Sequence, residues 1–277
     1  MRKLLFVFLK IFSLVRKFRL KVTGRTEADI HARRIVTGIS WEEFCDQLKL
    51  AGAVLMHPGA PRDPFQQAEG VRYLTRLTRA GLGAFVEYSD PAFPVFRRMV
   101  HETVKMGADN PDNIYLNAQI SGEYEYRITG KRNTIDYVGF FTQNGNYGTT
   151  GGLAPCGKIE QDELICDPDG SFEVILSKTP KGKNWLKTED ETTLVMVRQT
   201  FADRKTEIPV EVRIENLDGR ESPDHLTPSR VDEGLETAGH REGTMCWRWY
   251  RLKKGAEPVE PICRVVKFQD QKNSEQQ

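Results

Sequence analysis

The chain has little that would announce a chemistry. Its five cysteines are odd in number and widely spaced, with no C-x-x-C among them, so neither a disulfide framework nor a zinc knuckle is written. Separate reduced thiols in a reducing, cytoplasmic compartment are the simpler expectation, and Cys156 and Cys166 could bridge only if their strands meet. His31, His57, His101, His225 and His240 form no H-x-H or H-E-x-x-H, and no G-x-S-x-G elbow occurs, so no metal site is expected and hydrolysis has no signature. Charge of one sign is lacking too. Forty Lys+Arg against 39 Asp+Glu leave a net charge of +1, not the basic excess that a nucleic-acid binder needs. With 23 Gly and 14 Pro in 277 residues, the chain is neither collagenous nor of low complexity.

Long hydrophobic runs are also missing. The apolar run that opens the chain, Leu4 to Leu9, is six residues long, well short of the roughly 20 that span a bilayer. On a helical wheel Leu4, Val7, Phe8, Ile11, Leu14, Val15 and Phe18 share one face, and Lys3, Lys10 and Lys17 recur on another. That pattern predicts an amphipathic helix over residues 1–20 lying on an anionic membrane surface. Arg16-Lys17-Phe18-Arg19 is the opposite of a signal-peptidase site. A mitochondrial presequence, or a terminal helix packed on the protein or on a second subunit, stands as the alternative.

From residue 26 to about 88 the periodicity is helical. Ser40-Trp41-Glu42-Glu43 predicts a capping box, with Trp41, Phe44, Cys45 and Leu48 as a buried stripe. Asp63-Pro64 predicts a second helix start. In that helix Ala68, Val71, Leu74, Leu77 and Leu82 form the apolar side and Arg72, Arg76 and Arg79 the polar side. This arginine stripe fits a solvated helix face, or else a phosphate or head-group site.

Near residue 105 the period changes from 3.6 to 2. The patterns of Ile114–Ile120, Glu123–Ile128, Ile135–Thr142, Phe172–Leu176 and Val210–Glu215, with the β-branched, nearly continuous apolar run Thr193–Gln199 of a strand covered on both sides, predict six strands, and a seventh near Glu163–Cys166. Turn signals separate them and no helix-length pattern intervenes. The expected fold class is therefore α+β: a helical N-terminal region packed on an antiparallel β-sandwich of jelly-roll type. The expected boundaries are 1–20, 26–105, 106–219 and 220–277, the last a short helix to about Thr237 with a poorly ordered tail beyond.

Several segments are candidates for a site. Asp109-Asn110-Pro111-Asp112-Asn113 crowds four oxygen-bearing side chains into five positions. Asp109 and Asp112 could supply charge to a ligand or hard cation, with Asn110 and Asn113 orienting it; the same residues around a proline also build an ordinary turn. The glycine-rich stretch Gln143–Gly152 lacks the Lys and helix start of a phosphate loop. It reads as a mobile loop whose Asn144, Asn146 and Tyr147 could rim a ligand site. Arg127 and Arg198 fall within predicted strands, so each must point outward, pair with an acid such as Glu125 or Glu173, or hold an anion.

Gly107–Asn113 with Tyr115, Tyr126–Gly130, Asn184-Trp185-Leu186 and Val197–Phe201 with Asp203 together resemble the domain-of-unknown-function 1214 family. The resemblance covers residues 40 to about 235. It implies a jelly-roll β-sandwich with preceding helices, but no activity, cofactor or catalytic set. The leading expectation is a ligand-binding β-sandwich protein that takes a small molecule and rests peripherally on a membrane. The alternatives are an enzyme acting on a lipophilic or carbohydrate-like small molecule held between sheet and helices, and an assembly subunit.

Overall fold

In the computed structural model the described residues are 24–105, 110–145, 153–219, 222–223 and 225–251, with side chains to residue 239 in the last stretch. The expectations for residues 1–20 and for the tail beyond 251 fall outside them.

Helix α1 (Glu27–Val36) opens on Thr26, whose hydroxyl accepts from the Asp29 amide at 3.2 Å while the Asp29 carboxylate accepts from the Thr26 amide at 2.8 Å. Helix α2 (Ile39–Gly52) starts from Gly38, at φ 79°, not from the expected box at Ser40. Ser40 is buried inside the helix, where its hydroxyl donates to Asp232 at 2.5 Å, and Glu43 pairs with Arg34 at 2.7 Å. The buried Asp232 carboxylate outcompetes the helix end for the Ser40 hydroxyl, and the Arg34 guanidinium draws away Glu43. Phe44 is buried as expected, but Trp41 is 59% exposed.

Helix α3 (Pro64–Leu82) begins as its sequence predicts. Asp63 accepts from the Gln66 amide at 3.0 Å and Pro64 takes the first turn. It runs into a single π-helical turn, Gly83–Glu87. Residues 89–105, expected in the helical region, hold no helix and touch both layers: Val104 packs with Ala51 and Leu77 of the helical layer. Arg97 pairs with Asn117 through two backbone hydrogen bonds of 2.9 Å, and Phe96 packs against the sandwich core.

The sandwich has two four-stranded sheets. Sheet one orders β1 (Asn113–Gln119), β7 (Thr192–Thr200), β3 (Tyr137–Asn144) and β4 (Ala154–Ile159). Sheet two orders β6 (Trp185–Lys187), β5 (Ser171–Ser177), β2 (Tyr126–Lys131) and β8 (Glu211–Asn216). All pairs are antiparallel except β5 with β6, which is parallel. The six predicted strands are present. The seventh is not: Gln161–Glu163 is a 3₁₀ turn, and the additional strands are β4 and the three-residue β6.

Alternation sends Val138, Phe140, Val195 and Val197 inward from sheet one and Tyr126, Ile128, Val174 and Leu176 from sheet two. Phe140 meets Phe172 edge to face at 5.5 Å. Each such side chain contributes about 1.5–3 kcal/mol by leaving water. Gln199 is the largest of several buried polar side chains there, and its side-chain oxygen accepts from the Val210 amide at 2.7 Å.

Helix α4 (Pro228–Arg251) is 24 residues long, so the expected short helix near Thr237 is corrected. It returns to the helical layer, where Val231, Leu235 and Ala238 pack with Phe44, Leu48, Leu82 and Phe85. Gly234 allows the approach, because a Cβ there would lie 2.3 Å from the Phe85 carbonyl oxygen. Residues 228–251 thus complete the helical layer begun by residues 27–88. Among the described residues no helix is long and apolar enough to cross a membrane.

Candidate functional site

Between the helical layer and sheet one lies a cleft of about 710 Å³, within the size range of small-molecule sites, which favour such interfaces. Three parts of the chain build it. The last turns of α3 and the π turn present Arg79, Leu82, Ala84 and Glu87. The extended segment 95–101 presents Val95, Arg97, Met99 and His101, and β1 presents Asn117 and Gln119. Around the bridge at Arg97 the chain is extended, so Phe96 turns into the core while Val95 and Arg97 turn to the cleft; Arg98 and Met99, past the bridge, line it as well. Asn117 and Gln119 alternate in the same way with the core residue Ala118.

The electrostatics of the lining are uneven. Three arginines, Arg79, Arg97 and Arg98, stand against one carboxylate, Glu87. Arg98 is engaged by Glu102 at 2.7 Å and holds that carboxyl below its usual range. The Arg97 guanidinium lies 3.8 Å from the centre of the Tyr88 ring, a cation–π contact. Among the described residues neither Arg79 nor Arg97 has a carboxylate in ion-pair reach. Burial pulls the His101 imidazole below its ordinary pKa, and Arg98, Arg79 and Lys105 add to that against the opposing pull of Glu102. The hydroxyls of Thr75 and Thr78 donate to their own helix, at Arg72 O (2.7 Å) and Leu74 O (2.9 Å).

The described site residues expected from sequence do not line this cleft. Asp109, Asn146 and Tyr147 lie outside the described residues. Asn110 forms an Asx turn, its side-chain oxygen accepting from the Asp112 amide at 2.9 Å. Asn113 donates to the Tyr115 hydroxyl at 2.7 Å, and its Oδ1 is buried with no hydrogen-bond partner. Asp112 anchors the turn through its carbonyl, which accepts from the Phe201 amide at 3.0 Å. Among the described residues no cluster of His, Cys, Asp and Glu could hold a metal. Asn144 joins the end of sheet one to Glu189 and Thr192, both at 2.7 Å.

Arg127 sits on sheet two, paired with Glu215 at 2.5 Å and more loosely with Glu173 at 3.6 Å. Its other expected partner, Glu125, pairs with Lys181. Arg198, on the outer face of sheet one, donates to the Tyr137 hydroxyl at 2.9 Å and lies 5.0 Å from the centre of the Phe141 ring. That hydroxyl in turn donates to Glu160, which lowers the Glu160 pKa. Cys45, Cys156 and Cys166 are free thiols.

Of the arginine stripe on α3, only Arg79 lines the cleft; Arg72 pairs with Glu69 on its own helix. Sequence reasoning missed Tyr88, Arg97, His101, Asn117 and Gln119. The one signal available was the pair of outward carboxamides at alternate positions of β1.

No family model and no curated protein matches the chain. Among solved structures it is similar to an uncharacterized protein from Burkholderia cenocepacia, at 43% identity and a TM-score of 0.73 over 78% of this chain. A second match, the VPA0106 protein from Vibrio parahaemolyticus, is distant: 13% identity and a TM-score of 0.34, over 57% of this chain and 47% of that one. The chain spans 60% of the length of the Burkholderia protein it resembles.

Proposed function

We propose that the protein binds a small molecule in the cleft between α3 and the outer face of sheet one. The observation that carries this reading is the cleft itself: about 710 Å³ at a layer interface, with apolar walls and polar groups converging from three separate segments. Binding is favoured over nucleophilic catalysis because the lining hydroxyls of Thr75 and Thr78 are committed to their own helix backbone. The resemblance to the domain-of-unknown-function 1214 family names no ligand, so the proposal rests on the cleft. The jelly-roll description belongs to the same reading, supported by a chain that passes back and forth between the sheets. Membrane contact through residues 1–20 is proposed from their sequence pattern, and liposome co-sedimentation of the full chain against residues 21–277 tests it.

Soaking crystals in a mixed fragment library tests the cleft. Fragments should collect there, and Val95→Trp, at a half-exposed lining position, should exclude them. Fragments scattered over the surface with none in the cleft would refute the proposal.

A further inference from the structure

Resting on the proposed cleft, we infer that its ligand is an anion with an apolar body: a carboxylate, or a comparable oxyanion, carried on a hydrocarbon portion. Charge and surface are separated within the lining. Leu82 and Val95 supply accessible apolar lining, with Ala84 and Met99 almost wholly buried and Val104 fully buried behind it. The cationic groups come from two elements facing each other, Arg79 from α3 and Arg97 from the segment hydrogen-bonded to β1.

Several arginines elsewhere on the molecule are paired with carboxylates. Arg34 pairs with Glu43 and Asp232, Arg72 with Glu69, Arg127 with Glu215 and Arg230 with Asp90. Arg79 and Arg97 alone among the cleft cations keep guanidinium donors that no carboxylate of the described residues engages. A guanidinium matches a carboxylate in planarity and in the spacing of its donors. Tyr88 holds the Arg97 guanidinium in place at 3.8 Å, which lowers the cost of ordering it on binding. Asn117 and Gln119 add carboxamide donors from the sheet.

The charge is also placed to exclude other ligands. A cation would face the three lining arginines with Glu87 as its one lining counter-charge. A neutral chain would gain the apolar wall and leave the arginine donors unmatched. The discrimination belongs to the charged head, and the apolar body supplies affinity that all such ligands share.

Isothermal titration of the full chain with decanoate, decanol and decyltrimethylammonium separates these contributions. Decanoate should bind one to one, at least about tenfold more tightly than decanol or the cation. Arg97→Gln and Arg79→Gln should each weaken decanoate about tenfold and leave decanol unchanged, while Arg97→Lys, which keeps the charge but not the planar fork, should restore only part of the affinity. Melting curves check folding, and if Arg97→Gln is destabilised, Arg79→Gln carries the comparison. Equal binding of decanoate and decanol, with both arginine variants silent and Val95→Trp abolishing both, overturns the anion inference and leaves the cleft standing. Decanoate binding that survives Val95→Trp overturns the inference and the site together. Failure of all three probes overturns the inference, and the fragment soak then reports independently on the cleft.

Discussion

The sandwich closes by bringing Phe140, Ile128, Val195 and Leu176 together between sheets whose strands carry the pattern locally. The helical layer closes around Asp232, which accepts from Ser40, 192 residues away, at 2.5 Å, from Arg34 at 2.9 Å and from His31 at 2.7 Å. The sandwich core is mostly apolar, with polar side chains such as Gln199 set among it. The helical core is smaller, and a single buried carboxylate fastens α4 to both α1 and α2. Apolar closure is forgiving of register along a helix but offers no unique geometry; a carboxylate with three donors does. The cleft lies where these two layers meet.

The strongest way to break this comparison is to damage the sandwich. Phe140→Ala, at a fully buried position meeting Phe172, should cost about 3–5 kcal/mol in urea titration and lower the midpoint of both layers. If only the sandwich signal moved, the helical layer would be independent of it.

Asp232→Ala should come next. It strips the shared partner from Ser40, His31 and Arg34; because Arg34 is partly solvated at 26% exposure, the expected cost is about 2 kcal/mol, below the range for fully buried pairs. Hydrogen exchange should rise in α4 while β2, β3 and β7 stay protected. Equal loss of protection in both layers would show one cooperative unit and erase the distinction.

The same carboxylate predicts an acid response. Burial raises the Asp232 pKa, but hydrogen bonds from Arg34, Ser40 and His31 outweigh it and leave it lowered. A depressed folded pKa gives stability that is present above the unfolded carboxylate value, about 3.9, and is lost as pH falls through the folded one. Among the described residues Asp232 is the sole carboxylate in the buried set. The helical layer should therefore loosen in acid before the sandwich does, as α4 exchange against pH would show.

Gly234→Ala is expected to cost a similar amount. It places a Cβ 2.3 Å from the Phe85 carbonyl, and relieving that contact should cost about 1–3 kcal/mol, read as a lower melting temperature with increased α4 exchange. An unchanged melting temperature would mean that α4 shifts freely and the helical layer is less uniquely packed than the carboxylate network requires. The smallest effect should come from Arg127→Ala. Its ion pairs with Glu215 and Glu173 are solvent-screened on the outside of sheet two, so the urea midpoint should not move measurably.

The strands that were legible in the sequence include those with one buried and one wetter face over five or more residues, such as β2 and β8. Strand β4 was hidden because it carries Pro155 and Gly157 on a sheet edge and buries only Ile159. Proline is tolerated where no neighbour needs its missing donor. Three residues, as in β6, hold too little pattern to detect. Helix α4 was legible only at its start. Gly234 and Gly239 weaken it locally, and its stability comes from packing on α2 and the π turn. Of the candidate site, Arg79 was visible as part of a stripe, but nothing in the stripe separated it from Arg72.

By itself the sequence determined the two kinds of layer and their order, because side-chain periodicity is a local property that each segment expresses without its neighbours. Tertiary structure alone decided that residues 228–251 close the helical layer begun by 27–88. It decided too that Ser40 serves a distant carboxylate and not its own helix start, and that Arg79, Arg97 and Asn117 share one cleft. These depend on which faces meet across long stretches of chain, where desolvation makes buried donors and acceptors seek partners irrespective of sequence distance.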